Sequence, residues 1–203
     1  VVSDWSSDVV LFRSLVYLLA DEFTNHNEVP LGKKTVKLLN HLGYGVAIPK
    51  GIVTGRSFIS KGMLIEAKAL ANNNVEQLST LISSEHPLIG IEPSALLTFR
   101  DEIPALVDAD KRNQAESLKP NCLLIDEFIA REFKAGHITK DAFHGKKQNI
   151  LLHGHCHQKS IAGLSSTRIA LTIPSQYEVE LLPTGCCGMA GSFGYEKKHY
   201  RSE

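Results

Sequence analysis

Apolar and polar residues alternate along this chain in short blocks, and the blocks switch period. Residues 15–20 are almost continuously apolar and close on Asp21 and Glu22, which predicts a buried strand. Residues 25–30 are polar, end in Pro30 and read as a loop. Beyond it Val36, Leu39 and Gly43 space like one face of a helix, with Leu38 and Leu42 beside it and Gly43 as its stop. A second strand is expected over 45–49, a glycine-bounded turn over 51–55, and a long Ala-, Leu- and Glu-rich helix over 60–81. Residues 87–91 read as a third strand, and Glu92-Pro93-Ser94 opens a helix with proline in its first turn. Residues 104–120 are polar and define no clear element. Residues 122–133 read as one amphipathic helix with Leu124, Phe128 and Ala135 on its face, and 136–145 as a loop. Then come a strand over 149–152, a helix over 160–171, a strand over 177–182, and a last helix after Gly188.

Strands alternating with helices imply parallel pairing and the α/β class. The chain also carries a faint internal repeat. Leu18-Leu19 matches Leu151-Leu152 (151 − 18 = 133), and Tyr44 and Gly55 match Tyr177 and Gly188 at the same offset. At that offset Phe23 falls on Cys156, and Val53-Thr54 falls on Cys186-Cys187. The expected architecture is therefore two pseudo-repeated Rossmann-like units with parallel strands and flanking helices. Residues 1–118 form a first copy without thiols, and 119–203 form a second copy that carries the site and stops short of its end.

Composition narrows the function classes. The 203 residues are 43% hydrophobic and 22% charged, an ordinary globular balance. Lys plus Arg and Asp plus Glu both number 22, and no basic run exceeds a pair, so a nucleic-acid partner is not expected. No apolar run is long enough for a transmembrane segment. No secretory leader is legible, and Val1-Val2-Ser3 reads as a processed or excised start. Four cysteines, three of them near histidines, fit a metal or redox site in a reducing, cytoplasmic setting better than a disulfide scaffold.

Two stretches carry the chemistry. One is Pro183-Thr184-Gly185-Cys186-Cys187-Gly188-Met189, after an apolar strand. Neighbouring side chains diverge on a strand, so two adjacent thiolates meet one centre only where the backbone turns sharply; Gly185 and Gly188 permit such a turn. The other is His153-Gly154-His155-Cys156-His157-Gln158-Lys159, at the end of another strand. In an extended segment the three histidines would face one side and Cys156 the other. Cys156, Cys186 and Cys187 are the candidate metal ligands, with His155 and His157 as further candidates. Soft thiolates suit an iron–sulfur cluster; cysteine with imidazole suits zinc.

The cysteine, then Cys186-Cys187-Gly188 about thirty residues on, resembles the cysteine-rich CCG domain. That domain occurs in heterodisulfide reductase subunits, glycolate oxidase iron–sulfur subunits and the C subunit of anaerobic glycerol-3-phosphate dehydrogenase. The phrases Phe23-Thr24-Asn25, Gly55-Arg56, Ser60-Lys61-Gly62, Glu92-Pro93-Ser94, Leu97-Thr98, 153–159 and 186–195 resemble more closely the C-terminal iron–sulfur region of FAD-linked D-lactate-type (D-2-hydroxyacid) dehydrogenases. The resemblance implies a [4Fe–4S] cluster on Cys156, Cys186 and Cys187, completed by ligands beyond Glu203. It implies FAD in a partner domain or subunit, a downstream electron acceptor, and an inactive fragment when this part stands alone. The membrane would be reached only peripherally, through partners. Phe23, Val53, Thr54 and Ala95 stand where a cluster-binding first copy would carry thiols. A zinc-stabilised docking module of a redox complex is the alternative.

Plainer roles are expected elsewhere. Cys122 reads as a buried small side chain. His26, His41, His86, His137, His144 and His199 read as surface or loop residues. Glu92 reads as a helix-start acid, Arg56 as one half of a surface ion pair, and Lys159 as either solvated or offsetting cluster charge.

Overall fold

A computed structural model describes residues 12–187 and 197–198. The expected last helix, Gly188, Met189 and the remainder of 186–195, and His199 lie outside the described residues. Among the described residues, sixteen helices and strands follow in chain order, apart from short 3-10 turns. They are β1 (Ser14–Leu18), α1 (Glu22–His26), α2 (Val29–His41), β2 (Tyr44–Ala47), α3 (Arg56–Ser60) and α4 (Leu64–Leu78). Next come β3 (Leu88–Gly90), α5 (Pro93–Leu97), α6 (Glu102–Leu106), α7 (Arg112–Leu118), β4 (Cys122–Leu124) and α8 (Ile125–Lys134). The last are β5 (Gln148–Leu152), α9 (Cys156–Ile161), α10 (Ser165–Thr172) and β6 (Tyr177–Leu181).

The α/β class with parallel sheets between helices holds. A four-stranded sheet runs β2-β1-β3-β4, every neighbouring pair parallel. A two-stranded parallel sheet joins β5 to β6. Period-two alternation sorts the larger sheet into two apolar layers. Leu88, Cys122 and Leu124 face Val75, Leu78, Leu96, Phe99 and Ile103 on one side. Val16, Tyr44 and Ile89 face Leu39, Phe128 and Ile129 on the other. Ile173, just after α10, is 1% exposed in this second layer, so the β5–β6 half shares core with the larger sheet.

Several elements differ from the sequence reading, each for a local reason. Residues 22–26 form a helical turn rather than the end of a strand running into a loop, because Asp21 caps it by accepting from Phe23 N at 2.9 Å and Thr24 N at 3.0 Å. The polar stretch 104–120 is helical through α6 and α7, burying Ile103, Ala115 and Leu118 on one side only. Residues 122–133 are not one helix. Cys122–Leu124 is the edge strand β4, paired to β3, and the helix starts at Ile125 with Glu127 reaching back to Leu124 N at 3.0 Å. The helix expected over 160–171 is two helices, broken at Gly163, whose φ of 71° suits glycine.

The strand order reverses between β1 and β3, which opens a crevice at their carboxyl ends. Asp21 and Glu22 follow β1 there, and Glu92 follows β3. Helix α9 packs against α5 at this edge. The second sheet therefore delivers its cysteine-bearing helix to the place where the first sheet's topology leaves room.

Candidate metal centre

The edge is built from two connections. After β5, residues 153–155 lead directly into α9, with His155 as its N-cap residue and Cys156 as its first helical residue. Gly154 makes room for Leu164: a Cβ there would lie 2.4 Å from Leu164 Cδ1 and would displace that side chain. After β6, Leu182 N donates to Leu152 O at 2.9 Å, and 183–187 turn back toward α9. Lys159 Nζ, one turn along α9, donates to Thr184 O at 3.2 Å and to Gly185 O at 2.8 Å. His153 Nδ1 meets Thr184 Oγ1 at 2.5 Å. Lys159 is thus neither simply solvated nor near the thiols by charge alone; it ties the doublet loop to α9.

Cys156 and Cys186 meet. A hydrogen bond with the Cys186 side chain raises the Cys156 pKa first, then burial and the Cys186 charge; the Cys187 backbone N–H and the Lys159 charge oppose the rise. Cys186 and Cys187 are exposed, whereas Cys156 is half-buried. Gly185 is not among the glycines with positive φ, so the turn before the doublet does not use glycine's left-handed freedom. The counterpart of Gly188 in the first half, Gly55, does, at φ 75°.

The histidines do not share one side. Because Cys156 opens a helix rather than continuing a strand, the expected period-two alternation ends at His155. His155 Nε2 stands 4.0 Å from Glu92 Oε1, and burial lowers its pKa while Glu92 pulls the other way. His157 Nε2 stands 3.7 Å from Asp101 Oδ2. Gln158, 8% exposed, anchors α9 by donating to Asp126 Oδ2 at 2.8 Å and Thr167 Oγ1 at 2.9 Å. Thr167 donates a short bond to the same carboxylate oxygen.

The first half carries a matching connection without thiols. Glu22 opens α1 as Cys156 opens α9 (156 − 22 = 134). Strand register gives the same step, since Ser14 pairs Tyr44 and Gln148 pairs Tyr177 (148 − 14 = 134; 177 − 44 = 133). The counterpart of Cys156 by position in the fold is thus Glu22, one residue before the Phe23 that a uniform offset picks out. Thr54 N donates to Glu22 Oε1 at 3.2 Å, where Cys187 N donates to Cys156. Burial raises the pKa of Asp21 beside it, against hydrogen bonds from Thr24.

The plain readings fare well. Cys122 is 0% exposed, although in a strand. Glu92 is a helix cap, accepting from Ala95 N at 2.5 Å. Arg56 pairs with Glu102, with both side chains partly buried. The sequence reading did not single out Asp101, Glu102, Asp126, Thr167 or Gln158. An acidic pair just before the apolar Ile103 is a helix-start signal, but nothing in the sequence shows that it meets a histidine more than fifty residues away.

An α/β protein with parallel sheets, in which one connection brings Cys156 to Cys186 at the strand ends, is what fold and site define. The chain is similar to the C subunit of anaerobic glycerol-3-phosphate dehydrogenase of Escherichia coli (strain K12), 26% identical over 88% of this chain and 44% of that protein. It is also similar to the D-2-hydroxyglutarate dehydrogenase of the same strain, at 23% identity over 92% of this chain and 18% of that protein. The D-2-hydroxyglutarate dehydrogenase of Pseudomonas putida KT2440 is 27% identical over 92% of this chain and 17% of that protein. The chain spans less than half of the first relative and under a fifth of the others. These likenesses relate it to oxidoreductases. No protein-family model matches the chain, and no solved structure matches it significantly. No helix among the described residues is long and apolar enough to cross a membrane.

Proposed function

We propose that this chain is the iron–sulfur electron-transfer region of an FAD-linked oxidoreductase that oxidises a D-2-hydroxyacid of the lactate or glycolate type. The observation that carries the reading is the meeting of Cys156 with Cys186 and the Cys187 N–H at the carboxyl ends of two parallel strands. The donor set fits the group: soft thiolates on a partly exposed edge are what an iron–sulfur cluster takes as ligands. Cys156, Cys186 and Cys187 would hold it with a fourth donor from elsewhere in the full-length protein. When bound, such a cluster supplies a one-electron acceptor for reduced flavin. The chain's own residues fix the edge. Lys159 holds the doublet loop through two carbonyls, Gln158 holds α9 to Asp126, and the Cys187 N–H faces the Cys156 sulfur as a donor that stabilises its charge. Such backbone bonds to sulfur tune potential.

Residues 1–118 are read as the copy without thiols and 119–203 as the copy with them. The flavin sits in a partner domain or subunit, and the electrons leave to a further acceptor. The protein is placed in the cytoplasm, at the membrane only through partners. The hydroxyacid rests on the names of the D-2-hydroxyglutarate dehydrogenases and on the CCG resemblance, since no residue here is assigned to substrate. The competing reading, a zinc-stabilised docking module, draws on His155 beside Cys156.

Rapid-freeze paramagnetic resonance on the oxygen-free, full-length protein tests the proposal. After addition of a D-2-hydroxyacid, flavin bleaching should be followed by a reduced-cluster signal. In Cys187→Ser the flavin should bleach and the signal should be absent. A wild-type protein that bleaches without any cluster signal overturns the reading.

A further inference from the structure

A second group of ligand-bearing side chains lies where the two halves meet. Asp101 and Glu102 begin α6, and His157 stands in the first turn of α9. One ligand atom from each of the three lies within 4.8 Å of the others. None of the three belongs to the thiol doublet.

Their hydrogen bonding is incomplete in a telling way. His157 Nε2 and Asp101 Oδ2 are 3.7 Å apart, too far for a hydrogen bond. Two ligands each ~2.1 Å from one ion at a tetrahedral angle stand about 3.4 Å apart, so the gap suits a shared cation. The other ring nitrogen of His157, Nδ1, is buried with no partner. Glu102 spends Oε1 on Arg56, and its Oε2 is likewise buried with no partner. A buried carboxylate oxygen left unpaired is costly, so its survival points to a ligand. The His157 side chain is only 15% exposed, while Asp101 opens the group to solvent at 51%. Two carboxylates against one guanidinium leave one negative charge to meet a dication. Arg56 orients Glu102 as outer partners of metal ligands do.

We propose that Asp101, Glu102 and His157 form a divalent-cation site that bridges the two halves, selective for a transition ion such as Zn²⁺. One imidazole with two carboxylates favours such an ion over Mg²⁺ or Ca²⁺, which prefer oxygen alone. Three protein ligands leave a further position for water. The site draws nothing from Cys156, Cys186 or Cys187, so it stands or falls apart from the cluster reading. Its structural effect is to pin α9 to α6.

Co²⁺ is the probe, because nitrogen and oxygen ligands give weak visible bands while thiolates add intense near-ultraviolet charge transfer. The full-length protein carrying Cys156→Ser, Cys186→Ser and Cys187→Ser is titrated with Co²⁺ alone, its fold checked by circular dichroism. One equivalent should bind with visible bands and no charge transfer, and Zn²⁺ should displace it. Asp101→Asn and His157→Gln should each weaken binding about tenfold or more, as loss of metal-site groups does. The thiol-intact protein gives a second reading if the triple variant does not fold. There Asp101→Asn should remove one equivalent of zinc and leave iron unchanged. No uptake, or uptake that neither substitution weakens (an adventitious ion only), overturns the proposal. Loss of iron in Asp101→Asn also overturns it, by making these residues part of the thiol centre.

Discussion

The hydroxyl of Thr54 donates to Glu22 Oε2 at 3.0 Å, and its backbone N–H donates to Glu22 Oε1 at 3.2 Å. This pair occupies, in the first half, the place that Cys187 and Cys156 occupy in the second. A helix-opening side chain accepts from the turn after the next strand in both. In the first half a carboxylate and a hydroxyl close this connection. Thr54 is 2% exposed, so Thr54→Val should leave Glu22 and the Arg56 N–H each one hydrogen bond short. We expect a loss of about 1 kcal/mol by urea unfolding, with metal content unchanged. Unchanged stability would remove the Glu22–Thr54 lock from the account.

Asp126 is the anchor of the cysteine-bearing helix. It receives Gln158 Nε2 at 2.8 Å and Thr167, from α9 and α10 respectively. Asp126→Ala should leave the buried Gln158 amide with Thr167 as its one acceptor, at a cost of roughly 1–3 kcal/mol. It should also hasten loss of metal to a chelator, because α9 would no longer hold Cys156 in place. Stability falling with no change in metal loss would separate the anchor from the centre.

Thiol reactivity should sort the cysteines. Burial pushes the Cys122 thiol up to about 12. In the reduced, metal-free protein Cys122 should resist iodoacetamide at neutral pH until denaturant is added. Cys156 should react, but more slowly than an unperturbed thiol, since its hydrogen bond with Cys186 favours the protonated form. Cys186→Ala should speed it. Site-resolved mass spectrometry reads all of these rates, and early labelling of Cys122 would contradict the burial.

The opposite edge of the sheet sets a pH dependence. Burial would raise the Glu132 pKa, but hydrogen bonds from Tyr44 at 2.7 Å, His137 at 2.9 Å and Arg131 at 2.9 Å outweigh it, and the net shift is down. A depressed folded pKa contributes stability that is full above the ordinary glutamate value of ~4.3 and is lost as pH falls through the folded value. The stability gap between wild type and Glu132→Gln should therefore be constant near neutrality and shrink below about pH 4. A gap that grows on acidification would reverse the sign and contradict the network.

The fold was legible where burial was two-sided. Residues 15–20 and 87–91 are apolar because β1 and β3 lie between helical layers, and such runs mark central parallel strands. Cys122–Leu124 was not legible as a strand, since three residues running into a helix carry the helix's own pattern. The cysteines were legible from adjacency and glycine alone. Their neighbours were not: His157 reads as a partner of Cys156 in sequence, yet the first turn of α9 aims it at Asp101. Sequence spacing fixes which residues share a face only once the element type is known. The one-residue step falls between the helix openers Glu22 and Cys156 and the strand starts Tyr44 and Tyr177, where helices of different length intervene and a uniform offset does not show it.

Metal analysis of the full-length protein purified without oxygen bears most directly on the thiol centre. Iron, acid-labile sulfide and zinc are quantified beside a visible spectrum, with Cys186→Ser/Cys187→Ser as the control. Stoichiometric iron and sulfide with a broad charge-transfer band, both lost in the control, is the predicted result. A colourless protein without sulfide, whatever its zinc content, would contradict it.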